Sequence, residues 1–267
     1  MKLAAIGITI LLLTLPAWAE TFLADFDNGN LDEWQEFNMR DAPDGTWKII
    51  NDELHGVSPD AAIRLLTIGD ETWDNYTIEF DVKLLRKRGR GNITVAARIT
   101  GDWAAWCMIG DDPFGENISM VAYSAGNFRD PSPFIIFASE PHQALNMQEW
   151  MKLKLGVEGN TLNFWINGNH ILGPVRLPNH QTFKNFDVAR KQHLEEHHAD
   201  DENWQFRPMQ LGRFQNLLTG GVGIGLSNHT ARFDNIVITG ESIPGIHGLS
   251  VDPRSKVATL WGHLKSP

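Results

Sequence analysis

A net charge of −10 spread over 267 residues argues against nucleic acid and against anionic membrane surfaces as partners. The composition, 42% hydrophobic and 21% charged, supplies material for a sizeable globular core. The single cysteine, Cys107, lies in an apolar stretch, which fits burial better than reactivity, and it excludes an intramolecular disulfide. Lys2, the apolar run Leu3–Leu15 and the small residues Ala17 and Ala19 together read as a signal peptide cleaved before Glu20. That run is too short for a membrane span and no second one follows. The expectation is an exported chain, periplasmic or extracellular, with no membrane insertion.

From there the pattern is one of strands. Tyr76 to Leu84 alternates strictly, with Ile78, Phe80, Val82 and Leu84 on one side and Glu79, Asp81 and Lys83 on the other. Asn92 to Thr100 repeats the pattern, with Ile93, Val95, Ala97 and Ile99 expected to face the core and Arg98 and Thr100 the open side. Met151 to Leu155, Thr161 to Ile166, Gly221 to Leu226 and Arg232 to Thr239 continue the series. Turn residues punctuate it at Glu158-Gly159-Asn160 and Asn167-Gly168-Asn169. The basic run Arg86 to Arg90 reads as a solvated loop tip, with an anion site as the competing reading.

Many short alternating strands without helical periodicity between them predict an all-β sandwich or barrel. One segment departs from the pattern, an insertion at about 179–212, in which Val188 to His198 reads as a short polar helix. Residues 20–240 form the expected domain, and 241–267, rich in Pro and Gly, a loosely attached extension.

Several short signatures occur in order. They are Phe22 to Asp27, Leu31 to Trp34, Gly45 to Ile49, Asp52 to Gly56, Trp73 to Phe80, Glu149 to Leu153, Phe164 to Gly168, Gly221 to Leu226 and Arg232 to Ile236. This order resembles the concanavalin A-like superfamily over residues 21–240. Within it, laminin-G-like domains and the 3-keto-disaccharide hydrolase-like domain of secreted bacterial proteins are the most similar. The resemblance implies a two-sheet antiparallel jelly roll and recognition of an extracellular carbohydrate. Its alternatives are a glycoside-cleaving or keto-glycoside-cleaving enzyme and a protein-interaction module of the laminin-G kind. His229, three residues past Leu226, matches a histidine of the keto-disaccharide family. Glu79-Phe80-Asp81-Val82-Lys83 imitates a family-sixteen glucanase strand, but Lys83 stands where the second glutamate belongs, so these charges read as a solvent face.

Candidate site residues follow from chemistry. Arg98, Trp103, Trp106 and Trp165 are expected to line an open sugar-binding face, since a pyranose stacks on an indole while acids and amides take its hydroxyls. The competing reading places Trp103 or Trp106 in a second small core beneath the insertion. Asp102, Asp111, Asp112 and Glu116 are candidates for the carboxylate pair that glycoside hydrolysis commonly uses. His193, His197 and His198 with Glu195 and Glu196 could hold a transition metal, His193 and His197 sharing a helical face at i and i+4, or could be solvated helix surface. The resemblance also implies a structural calcium ion where the first and last strands meet, with Asp25, Asp27 and Asp234 as ligands.

Overall fold

The structure, a computed structural model, describes residues 20–24, 26, 29–111, 119–129, 134–143, 145–198, 205–212, 214 and 216–243. The expected signal segment 1–19, Asp25, Asp27, Asp112, Glu116 and most of the C-terminal extension lie outside the described residues.

The chain begins with β1 (Glu20–Ala24), β2 (Gln35–Asn38), β3 (Thr46–Ile50), β4 (Glu53–Val57) and β5 (Arg64–Ile68). Longer strands follow: β6 (Tyr76–Lys87), β7 (Asn92–Thr100), β8 (Trp103–Asp111) and β9 (Ser119–Asn127). Next come β10 (Ile135–Pro141), β11 (Trp150–Glu158), β12 (Thr161–Ile166) and β13 (Asn169–Arg176). A helix, α1 (His180–His197), separates these from β14 (Gly221–Leu226) and β15 (His229–Gly240).

Two antiparallel sheets pack face to face. The eight-stranded sheet runs β13-β12-β11-β6-β15-β4-β3, with β1 added to β15 beyond β4. The seven-stranded sheet runs β10-β9-β8-β7-β14-β5-β2. The alternation of β6 decides this layering: Ile78, Phe80 and Val82 are fully buried between the sheets, while Glu79, Asp81 and Lys83 stand on the outer face. The all-β sandwich expected from the alternation is therefore the observed fold. Gly225 of β14 serves the neighbouring strand: a Cβ there would lie 2.3 Å from the Arg64 carbonyl oxygen of β5.

A second apolar cluster covers the outer face of the seven-stranded sheet. It joins Phe37, Phe128, Trp106 and Met108, with Phe37 and Phe128 stacked at 4.9 Å and Trp106 edge-on to Phe128 at 5.2 Å.

The phase of β7 differs from the expectation after Ala97. Arg98 takes a left-handed conformation (φ 56) and the register with β8 jumps between Ala97 and Thr100. A bulge of this kind exchanges the two faces of a strand. Ile99 accordingly packs on the second cluster, outside the sandwich, and Arg98 is fully buried.

The insertion is more helical than its sequence suggests. α1 starts eight residues before Val188, at a capping box in which Thr182 N donates to Asn179 Oδ1 at 3.0 Å and Asn179 N to Thr182 Oγ1 at 3.3 Å. Phe183 is its one buried residue, which is why no amphipathic period announces the helix. Asp187 accepts from the Met209 N–H at 3.1 Å and Arg190 donates to the Arg207 carbonyl at 2.6 Å, binding the returning chain to the helix.

Candidate functional site

The expected site residues do not gather in one place. Trp103 is buried against Phe183 and Phe214 of the insertion, with ring centroids 5.5 and 4.8 Å away. Trp106 is fully buried in the second cluster. Both tryptophans are therefore buried and not on an open face: Trp103 lies beneath the insertion but within the main core, and Trp106 in a second cluster that holds no residue of the insertion. Trp106 stands opposite Ser124 in the β8–β9 register, and its Nε1 and the Ser124 Oγ are buried without hydrogen-bond partners among the described residues. Arg98, turned inward by the bulge, donates to the Gly159 carbonyl at 2.9 Å and the Trp73 carbonyl at 3.3 Å. Its guanidinium lies 5.5 Å from the Tyr76 ring centroid, and burial holds its pKa below the usual value for arginine. It is a structural clamp, not a residue on an open face.

Asp102 and Asp111 flank β8 at opposite ends. Nine residues of extended strand separate them by roughly 27–30 Å, against the ~5–9.5 Å of a glycosidase carboxylate pair. Asp102 is exposed beside Arg129, 3.6 Å away. Asp111 ion-pairs with Lys87 at 2.7 Å and accepts from the Gly91 N–H at 3.0 Å. Burial pushes its carboxyl up, but Lys87 and the Gly91 amide outweigh this and leave it below the ordinary aspartate value.

His229 is buried at this same end of the sandwich. Its Nδ1 lies 2.6 Å from the Ser227 carbonyl, which fixes the proton on Nδ1 and leaves Nε2 with the lone pair. Burial lowers its pKa, with Lys87 adding to the effect and the Ser227 carbonyl opposing it, so the imidazole is neutral at pH 7.

The open surface is elsewhere, on the outer face of the eight-stranded sheet. Trp150, at the start of β11, is 40% exposed and in phase with Lys152. Beside it lies a depression of about 410 Å³ lined by Glu53, Asp81, Lys152, Asn167, Asp234 and Asn235. Lys152 reaches Asp81 at 3.0 Å and Glu79 at 3.4 Å. Burial depresses the Lys152 pKa, but these two carboxylates more than compensate and raise it. Asp234 and Asp81 are cross-strand neighbours, and the Asn235 amide donates to both, at 3.3 and 2.9 Å. Asn235 adopts φ 51 within an irregularity of β15, and this presents its amide between the two acids.

Trp165, on β12 opposite Lys154, half-emerges on the same face, with Lys154 Nζ 5.6 Å from its ring centroid and His170 5.2 Å away. Strand geometry puts the Cα atoms of Trp150 and Trp165 roughly 14 Å apart, with Lys152 between them. Trp150 was absent from the candidates chosen on sequence. Its signal was nonetheless present in the phase of Trp150-Met151-Lys152-Leu153, which sets the indole opposite the buried Met151 and Leu153.

Asp25 and Asp27 are outside the described residues, so the calcium expectation can be followed only through Asp234. The Asp234 carboxylate accepts the backbone and side-chain N–H groups of Asn235. Among the described residues no three His, Cys, Asp or Glu side chains converge as a metal site. The His193 and His197 rings lie with centroids 4.1 Å apart, tilted by 48°, on an exposed turn of α1.

A model of the 3-keto-alpha-glucoside-1,2-lyase-like domain matches residues 21–239. The chain belongs to this family. No curated protein matches this lyase-like domain. Among solved structures, the carbohydrate-binding module CBM66 from Bacillus subtilis is 13% identical, with 76% of this chain and 93% of that chain covered at a TM-score of 0.50. Domain 4 of AbnA, an extracellular arabinanase of Geobacillus stearothermophilus solved with arabinotriose, is 12% identical over 84% and 93% of the two chains, at a TM-score of 0.42. A Bacillus subtilis protein with a galectin-like fold is also 12% identical, over 82% and 96%, at a TM-score of 0.43. The likeness to CBM66 shows that the lyase-like domain has the sandwich fold of a carbohydrate-binding module. No helix among the described residues is long and apolar enough to cross a membrane.

Proposed function

We propose that this chain is an exported carbohydrate-recognition module that binds a glycan on the outer face of its eight-stranded sheet. One observation carries the reading: Trp150, 40% exposed, borders a depression walled by carboxylates and side-chain amides. An indole face takes the apolar side of a pyranose, while acids and amides of fixed orientation take its hydroxyls. Asn235, Asp81 and Asp234 are already held by one another, so they meet a ligand without further ordering. Trp165 supplies a second stacking surface at a distance suited to an oligosaccharide of two or three rings. Fold likeness to a carbohydrate-binding module and membership of a glycoside-acting family agree with the reading. The test is retardation in native gels containing soluble polysaccharides. Trp150→Ala and Trp165→Ala are expected to abolish or weaken retardation at unchanged melting temperature. Wild-type mobility unaffected by every polysaccharide of a broad panel would overturn the reading.

His229 favours a second reading, keto-glycoside elimination. The family description names a 1,2-lyase of a 3-keto-glucoside. In such a reaction a base removes the proton at carbon 2, which the neighbouring ketone acidifies. The carbon 1–oxygen bond then breaks as the carbon 1–carbon 2 double bond forms, and the leaving alkoxide is protonated. A neutral imidazole with Nε2 unprotonated suits the base. Turnover of an α-linked 3-keto-disaccharide, lost in His229→Ala, would establish this reading, and no turnover by the wild-type protein would remove it.

A further inference from the structure

The outer face of the eight-stranded sheet is patterned by charge, and the pattern names a class of ligand. One cross-strand row reads Lys48 on β3, His55 on β4, Arg232 on β15, Lys83 on β6 and Trp150 on β11, each opposite the next. All five project outward, away from the core residues that alternate with them. The next outward row is mixed, with Asp234 opposite Asp81 and Asp81 opposite and ion-paired with Lys152. Arg88, from the loop after β6, adds a further cation by donating to Thr230 Oγ1 at 2.9 Å, two residues before Arg232 on the same face.

Like charges placed opposite one another across strands destabilise a sheet. Lys83 and Arg232 are such a pair. Of Lys48, Lys83 and Arg232, only Arg232 has a carboxylate partner among the described residues, Glu53. Arg232 also leans over the Trp150 ring, its guanidinium 5.7 Å from the centroid. His55, within this row, has its pKa lowered by burial first and by Arg232 second, with Glu53 acting the other way. A row of cations retained in a chain of net charge −10, and ending at an exposed indole, is complementary to an anion carried on a ring that can stack.

We infer that the carbohydrate bound at this face is anionic, with a uronate carboxylate or a sulfate ester held by Lys83 and Arg232 while its ring stacks on Trp150. The inference rests on the proposed glycan-binding role of this face and adds the class of sugar. Carboxylate and sulfate present the same chemistry to the row, so the experiment uses one polymer of each kind with its uncharged counterpart: polygalacturonate against fully methyl-esterified pectin, and dextran sulfate against dextran.

Retardation of the wild-type protein by at least one charged polymer, and not by its uncharged counterpart, is the expected result, with the responding polymer identifying the anion. Lys83→Glu is expected to weaken that retention about tenfold, by removing one contact and introducing a repulsion. The new glutamate would face Arg232, so the fold should be retained, as the melting temperature will check. Lys184→Glu, the same charge change on the distant α1, is the control and should leave retention unchanged. Equal retention of each charged polymer and its uncharged counterpart, abolished by Trp150→Ala, would overturn the anionic inference and leave the glycan-binding role standing. An equal loss in Lys184→Glu would overturn it as a mere effect of net charge. Absence of binding to all four polymers would overturn it as well, and binding to other neutral glycans would then decide the broader role.

Discussion

The Trp103 indole meets the Phe183 ring edge-on at 5.5 Å, and through this contact β8 anchors the only α-helix among the described residues. Phe214, 4.9 Å from Phe183 and 4.8 Å from Trp103, completes a triangle of rings that locks both arms of the insertion to the sandwich.

Phe183→Ala removes the single buried side chain of α1. The expected cost is about 3–5 kcal/mol, the range for losing a buried aromatic ring. Thermal melts followed by circular dichroism should show a lower midpoint, and Trp103 fluorescence should shift to the red as its pocket opens. A variant with an unchanged melt would show that the insertion contributes nothing to stability.

Arg98 tests the clamp. Replacing it with alanine removes the Arg98 donor from the Gly159 carbonyl and leaves the Trp73 carbonyl to the Gly220 N–H alone, at an expected cost of about 2 kcal/mol. Arg98 also holds φ 56, a conformation that costs a side-chain-bearing residue about 1–2 kcal/mol and glycine little. Arg98→Gly should therefore be milder than Arg98→Ala by about 1 kcal/mol in urea denaturation. The reverse order would contradict the left-handed geometry.

His229 makes stability depend on pH in a defined direction. Its folded pKa is lowered by burial and then by Lys87, with Asp111 and the Ser227 carbonyl acting the other way. As pH falls below about 6.5 the unfolded chain protonates first, so stability present at neutral pH declines until the folded imidazole is itself protonated. His55, lowered by burial and Arg232, contributes with the same sign. His229→Gln should reduce the stability lost between pH 7.5 and pH 5, measured as the change in urea midpoint, without abolishing it. An undiminished loss would assign the whole dependence to other groups.

The sandwich was legible because alternation is a local signal: Ile78, Phe80 and Val82 on one side and Glu79, Asp81 and Lys83 on the other define layer and face before any pairing is known. The site was less legible, since a face is fixed by phase and phase is lost at a bulge. Nothing in Ala97-Arg98-Ile99 signals that Arg98 would take φ 56 and exchange the two sides. Trp103 and Trp106 share the phase difficulty in another form. The seven-stranded sheet is apolar on both faces, so outward-pointing residues there, such as Trp106, are no more exposed than inward ones. The charges of β6, which read as mere solvent face, gain significance only when Lys48, Arg232 and Trp150 are brought alongside them by strands distant in sequence.

The pairing of β1 with β15 sets Glu20 opposite Gly240, with their Cα atoms about 5 Å apart. The two ends of the paired strands therefore meet at one point of one sheet edge, and just beyond it Ile243 still packs into the core. A short connector from beyond Ile243 could reach Glu20, and the chain could be reopened at an exposed turn such as Gly101, where even an added Cβ would meet no atom within 4 Å. The order of the sequence would change while every ladder of both sheets stayed in place, giving a circular permutant with the charged rows and Trp150 intact and its new ends at the tip of the β7–β8 turn.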